Sequence, residues 1–416
     1  MNFRGAAGFP SQIAAGFGAL VFGVALTIGD GVGAAAPPAF IHAEGTRLVD
    51  GRGDNFAVKG INLGNWLVPE GYMFKFKHAH SPSEIAGLIE ALVGSEAAAR
   101  FWTEFRDDYI AEDDIRFIKA AGFNTVRVPL NWRLFVEPGD GGADIFNGPG
   151  WSLLDRLVQW CRDYDLRVII DLHAAPGGQT GVNHDDGTGF PLTFYVPRYE
   201  RLTIALWQKL AAHYRDATTI LGYDLLNEPI SPYSDEKYLN PRLEPFYRDI
   251  VTAIRSVDLN HVVLLAGAQW STSFAVFDRP FDRNAVYTYH KFWANPTRDS
   301  LQSYVNFSNR WNVPLLIGET GENSDHWNEM FRRLNEQFGI GWCFWTYKSL
   351  DSDTTVVSVQ KPEGWDLIAN ADSADQNSLP PREQAQAVLD AYLEAAKLRN
   401  GHINADYLNS LGLRAP

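Results

Sequence analysis

The chain has 416 residues, of which 45% are hydrophobic and 21% charged, an ordinary balance for a globular protein with a sizeable core. Lysine plus arginine number 36 against 50 aspartates and glutamates, and a net charge of −14 excludes nucleic acid as a partner, since binding phosphates needs a positive surface. Of the 13 Trp, 16 Tyr and 25 Phe, most must fill cores, leaving a minority for stacking on flat ligands such as the apolar faces of sugar rings.

Residues 1–36 stand apart. Arg4 without a nearby acid, an uncharged run from Ile13 to Ile28 and the small residues Ala34, Ala35 and Ala36 read as a secretory signal peptide. Once it is cleaved, the mature chain is expected to span 37–416, to be secreted or periplasmic and free of the membrane; the alternative is that the run is retained as an anchor. A monomer is expected. Residues 40–58 read as a short hairpin turning at Asp50–Asp54, and Ala57–Leu63 as a first core strand. Ser81-Pro-Ser-Glu84 starts a long helical region, and Ala111-Glu-Asp-Asp114 a helix stopped by Gly122.

A strand–helix rhythm follows. Apolar strands are expected at 125–129, 167–172, 221–226, 261–266, 285–290, 315–317 and 341–345, with helices between most of them and a closing helix at 382–398. Near-continuous apolar strands imply a parallel sheet covered on both faces. Eight of them predict a (β/α)8 barrel with its site at the C-terminal ends of the strands, in one domain. A doubly wound open sheet would more often carry a glycine-rich phosphate loop after an early strand, and none is present. Cys161 on an apolar helix face and Cys343 in a strand read as buried free thiols.

Polar residues close nearly every strand: Asn65 and Glu70, Arg127, Asp171 and His173, Asn227 and Glu228, Gln269 and Trp270, His290, Glu319, then Trp345 and Lys348. Burying a carboxylate costs several kcal/mol or more unless it is paired, so two glutamates ending two apolar strands point to use in chemistry. Glu228 and Glu319 have the makings of an acid/base and a nucleophile at one glycosidic bond. The acid needs a raised pKa and the nucleophile a depressed one, with Arg127 placed to hold one glutamate ionised. Asn227 is a donor for a sugar 2-hydroxyl, His173 and His290 orient hydroxyls or carboxylates, and Trp345 supplies an apolar platform. Asp171 and His173 share one strand face, but no further ligand stands at convincing spacing. His184-Asp-Asp186 is a second ligand-like group, but Asp185-Asp186 reads as an exposed turn, and no metal or other cofactor is expected.

Arg127, Asp171-Leu-His173, Leu226-Asn-Glu-Pro229, His290, Ile317-Gly-Glu319 and Phe344-Trp345 together resemble glycoside hydrolase family 5, over roughly residues 55–350. The resemblance implies retaining hydrolysis on a (β/α)8 barrel, with Glu228 as acid/base, Glu319 as nucleophile, and Arg127, His173, Asn227, His290 and Trp345 supporting them. Lys59–Glu70 and Asp171–Gly181 are most similar to exo-β-1,3-glucanases, whose first-strand glutamate, here Glu70, lines the closed end of a pocket. The expected substrate is a β-glucan or β-glucoside. Three departures stand out: Phe292 where the family has tyrosine, with Tyr287 or Tyr289 as possible substitutes; Thr320-Gly321 after the nucleophile; and Tyr347 for a tryptophan. The alternatives are an endo-acting glucanase or mannanase, a hydrolase of non-polysaccharide glycosides, and a carbohydrate-binding barrel without catalysis.

Overall fold

The computed structural model describes residues 40–416; the segment read as a signal peptide lies outside them. Eight parallel strands close into a barrel in chain order. They are β1 (Lys59–Asn62), β2 (Thr125–Asn131), β3 (Arg167–Ala174), β4 (Ile220–Asp224), β5 (Val262–Ala266), β6 (Ala285–His290), β7 (Leu315–Gly321) and β8 (Gly341–Trp345). Cys343 of β8 pairs with Gly60 of β1, so the sheet has no open edge. This is the expected (β/α)8 architecture.

Helices Gly150–Asp163, Pro197–Tyr214, Glu236–Arg255, Gln302–Trp311 and Asp325–Gln337 fill the connections. Each turns one apolar stripe inward, as Leu154, Leu157 and Cys161 do on the first of them. The Ser81 start signal is a capping box: Ser81 Oγ accepts from the Glu84 amide at 3.3 Å, and Glu84 Oε2 from the Ser81 amide at 3.0 Å.

Two apolar layers result. The larger lies between strands and helices. The smaller includes Ile169, Leu221, Leu264, Leu316 and Cys343 of the barrel strands, packed with Ile41, Leu48 and Val58, so the N-terminal hairpin and the strand after it join the barrel's own core. Both cysteines are buried and free, one in each layer. No helix among the described residues is long and apolar enough to cross a membrane.

Several boundaries differ from expectation. The hairpin pairs His42–Glu44 with Arg47–Val49 and turns at Gly45, whose φ of 60° suits glycine. Asp50–Asp54 forms a second turn, in which Asp50 Oδ1 accepts the amides of Arg52 and Asp54. β4 stops at Asp224, before Asn227 and Glu228, whereas β7 runs on through Glu319 to Gly321. Lys348 does not join the strand-tip site. It lies in the separate strand Lys348–Leu350, ion-paired to Asp114 at 2.7 Å and donating to the carbonyls of Tyr109 and Ala396.

Candidate active site

Strand register assembles the floor of the site. Arg127 on β2 stands opposite Asn62 on β1, and Asp171 on β3 opposite Asp224 on β4. Alternate residues of a strand share one face, so Ile169, Asp171 and His173 step up one side of β3 from apolar core to ligand cavity. Arg127 is fully buried and spends its donors on five partners. Nε donates to Asp224 Oδ2 at 2.9 Å, and Nη1 to Asn62 Oδ1 at 2.9 Å and Glu319 Oε1 at 2.6 Å. Nη2 reaches Asn227 Oδ1 at 2.9 Å and Asp171 Oδ1 at 3.0 Å. One cation therefore serves three buried carboxylates.

The two glutamates singled out from the sequence meet above this floor. The ligand atoms of Glu228, His290 and Glu319 all lie within 4.8 Å of one another. His290, in register with Glu319, reaches Glu228 Oε1 with Nδ1 at 2.9 Å and lies 3.6 Å from Glu319 Oε2. His173 Nδ1 donates to Asp171 Oδ2 at 2.9 Å, so its Nε2 accepts from Asn227 Nδ2 at 3.3 Å. One amide hydrogen of Asn227 is thereby committed, leaving the second for a ligand. Glu228 itself sits at φ 46°, a left-handed conformation that costs a β-carbon-bearing residue about 1–2 kcal/mol. The loop is pinned on both sides: Asn227 N donates to Leu172 O, Ile230 N to Gln179 O, and Gln179 Nε2 to the carbonyls of His173 and Asn227.

Burial decides the ionisation of the whole cluster. It raises the pKa of Glu228, opposed chiefly by His184 and Arg127, and that of Glu319, opposed by His290, Arg127 and His173. The expectation of a depressed nucleophile is therefore corrected: desolvation outweighs the cations around Glu319. What separates the two is contact. Glu319 touches the guanidinium directly, whereas Glu228 meets only imidazoles. Burial likewise lifts Asp171 to about 7 and Asp224 to about 6, and depresses His173 to about 3 and His290 to about 4.

A pocket of about 250 Å³ opens over these groups, lined by Glu70, Tyr72, His173, His184, Glu228, Trp270, Phe292, Trp293, Glu319, Glu322 and Trp345. Trp345 stacks on His173 with ring centroids 5.6 Å apart, and its Nε1 donates to the Tyr72 hydroxyl at 2.7 Å. Gly64 permits this placement, because a β-carbon there would come within 2.7 Å of the indole. All eight residues singled out from the sequence thus converge: Glu70, His173, Glu228, Glu319 and Trp345 line the pocket, and Arg127, Asn227 and His290 contact Glu319, His173 and Glu228 among them.

Four participants escaped the sequence reading, Asn62, Asp224, Tyr72 and Glu322, and His184 entered it only as a metal-ligand candidate. Asp224 stood in the open as the one charged residue inside an apolar strand. His184 lies 3.5 Å from Glu228 Oε2. The loop after it is no exposed turn: Asp185 is buried and accepts the amides of Thr180, Gly181 and Gly187, while Asp186 accepts from Ser83 and pairs with Arg133 at 3.1 Å. The loops after β1 and β3 are thereby tied together beside the pocket. Tyr287 and Tyr289 do not reach Glu319. Tyr289 bonds Asn335 and stacks on Tyr304, and Tyr287 packs on Phe277 and Phe307, because both alternate away from His290 on β6.

For a metal, Asp171 and His173 had no third ligand at convincing spacing in the sequence; the fold supplies one, since both have ligand atoms within 4.8 Å of Glu319. Glu228, His290 and Glu319 form a second such group. In the first, Asp171 and Glu319 already contact the Arg127 cation.

The family model described as Cellulase (glycosyl hydrolase family 5) matches residues 90–351. A beta-xylosidase of Phanerodontia chrysosporium is 31% identical over 61% of this chain, and the match spans about half, 52%, of that relative. A probable glucan 1,3-beta-glucosidase A of Emericella nidulans is 32% identical over 83% of this chain and 84% of its own length. A rutinosidase from Aspergillus niger superposes with a TM-score of 0.56 over 71% of this chain and 90% of that one, at 18% identity, which shows the common fold alone.

Proposed function

The chain belongs to glycosyl hydrolase family 5, and from that premise we propose that it is a secreted retaining β-glycosidase removing single sugars from β-glucan-type substrates. The observation that carries this reading is the pair Glu228 and Glu319. Their oxygens lie within 4.8 Å, bridged by one histidine, and only one of the two is held by a guanidinium. An oxygen of each so close to the other supports the roughly 5–5.5 Å carboxyl separation of retaining enzymes over the roughly 6.5–9.5 Å of inverting ones.

The roles follow from the contacts. Glu319 Oε1 is taken by Arg127, so Oε2 is the oxygen free to attack the anomeric carbon. Glu228 accepts from His290 through Oε1, leaving Oε2 to carry the proton for the leaving oxygen. Attack by Glu319 as the glycosidic bond breaks gives a covalent glycosyl-enzyme. Glu228, now a carboxylate, then takes a proton from water, whose oxygen displaces Glu319. Asn227 offers its free N–H to the 2-hydroxyl. The joined loops after β1 and β3 favour exo action by walling one side of the pocket.

The test is a time course on laminarin with the anomeric form of the first product read by NMR. Glucose of β configuration from the earliest points is expected; a ladder of oligosaccharides would replace exo by endo action, and an α product would overturn retention. A second reading, hydrolysis of glycosides with a flat non-sugar aglycone, is favoured by Trp293, 74% exposed at the pocket rim. A kcat/KM on aryl glucosides far above that on laminari-oligosaccharides would select it.

A further inference from the structure

The pocket holds more acid than hydrolysis requires. Besides Glu228 and Glu319 it is lined by Glu70 and Glu322, and no lysine, arginine or histidine among the described residues makes an ion pair with either. Glu70 is 6% exposed, and its Oε1 has no hydrogen-bond partner. A buried acceptor left unpaired in a lined cavity is costly unless a ligand supplies the donor.

Tyr72 joins the two acids. Its oxygen already accepts from Trp345 Nε1 at 2.7 Å, and its own hydroxyl interacts with Glu322. Glu322 is held at φ 47° in the turn after β7. The group belongs to the Glu319 side of the pocket: Glu322 follows directly on β7, the strand that carries Glu319, and Tyr72 is bonded to Trp345, which is paired with Gly321 of that strand. With the leaving oxygen at Glu228 and the anomeric carbon at Glu319, this end receives the part of the sugar ring remote from the scissile bond. Burial pushes both carboxyls above the ordinary range; each still offers acceptor oxygens to hydroxyl donors, whereas a sugar carboxylate would have to be buried among acids.

We propose that Glu322, held by Tyr72, is a specificity-determining residue that accepts from the remote hydroxyls of the sugar, the C6 hydroxyl among them, so that the pocket takes neutral hexosides over pentosides and excludes uronosides. This rests on the glycosidase reading above and adds to it the class of sugar bound.

The experiment measures kcat and KM for 4-nitrophenyl β-glucoside, β-xyloside and β-glucuronide with the wild type, Glu322→Ala, Glu322→Gln and Tyr72→Phe. Tryptophan fluorescence titrations with D-glucose, D-xylose and D-glucuronate run beside it, because Trp345 and Trp270 report occupancy without turnover. Glu322→Ala is expected to lower kcat/KM for the glucoside about 10- to 100-fold, the range for losing a hydrogen bond to a charged group, and for the xyloside by no more than about threefold. Glu322→Gln, which keeps the volume and carries the test should the alanine variant not fold, is expected to narrow the gap between glucoside and glucuronide. Equal losses on glucoside and xyloside, or wild-type binding of glucuronate as tight as glucose, would overturn the assignment. If no glycoside is turned over yet the three sugars bind in the stated order, the specificity assignment stands and the hydrolytic reading falls.

Discussion

Two buried cations in this molecule are treated in opposite ways. Lys348 has three donors and three acceptors: Asp114, Tyr109 O and Ala396 O. Asp114 is also saturated, accepting from Tyr347 and the Ala111 amide, and the charges balance one to one. Arg127 faces three carboxylates, and close by Asp224 Oδ1, Thr288 Oγ1 and His290 Nε2 are buried without hydrogen-bond partners. The lysine pair closes a packing problem. The arginine cluster is left overcharged and underbonded, the state expected where groups are held for chemistry rather than for stability.

That contrast can be broken most severely at the nucleophile. Glu319→Ala is expected to cost on the order of 10⁴-fold or more in kcat while leaving the melting temperature equal or higher, since one of three competing carboxylates is gone. Retained activity on an aryl β-glucoside would end the catalytic reading; a binding-only barrel would show none before the mutation either. Glu228→Gln is expected to lose roughly 10²–10⁴-fold on natural glycosides but little in the first step with activated aryl leaving groups. The alkaline limb of the pH–rate profile, set above the ordinary carboxylate range by burial of Glu228, should vanish in this variant. Equal slowing of both substrate classes would remove Glu228 from the acid role.

The two cations themselves should separate stability from activity. Lys348→Met leaves Asp114 buried and unpaired and is expected to cost about 3–5 kcal/mol of stability, with kcat of the folded fraction unchanged. Arg127→Lys loses the planar fork that reaches five partners, so kcat should fall sharply with a smaller change in denaturation midpoint. Matching losses in both assays for both variants would erase the distinction.

The smallest effect concerns pH and stability. His290 and His173, at about 4 and 3 when folded, gain protons first in the unfolded chain, so stability falls as pH drops below about 6.5. Asp224 and Asp171, raised to about 6 and 7, hold protons longer in the folded state, so their contribution is lost as pH rises from 3.8 through those values. Glu228, Glu319, Glu70 and Glu322, also raised by burial, act in the same direction as the aspartates, so the carboxyls outweigh the two histidines and the wild-type melting temperature should fall as pH rises from 4 to 6. His290→Gln removes one of the two opposing histidines, and the fall of its melting temperature with rising pH across that window should be steeper than the wild type's. An unaltered profile would mean that His290 titrates alike in both states.

Legibility varied with how local the physics was. The strands were readable because a parallel barrel buries both faces and leaves apolar runs. Glu228 and Glu319 were readable because a carboxylate ending such a run is conspicuous. Asp224 was passed over as part of a strand, and Asn62 as part of a motif, because nothing local says that either faces Arg127. Lys348 was misplaced for the converse reason: three residues past Trp345 it looks like a tip, but its strand leaves the barrel for another sheet. His184 and Glu322 sit on loops, where periodicity gives no direction.

By itself, the sequence determined the eight-stranded rhythm, the covered sheet and the two glutamates, since burial pattern and charge placement are properties of short stretches. Only the tertiary structure decided that one arginine answers three acids, that burial lifts Glu319 rather than lowering it, and that Tyr72 and Glu322 complete the pocket. Those outcomes depend on desolvation and on distances between strands far apart in the chain, which exist only once the barrel has closed.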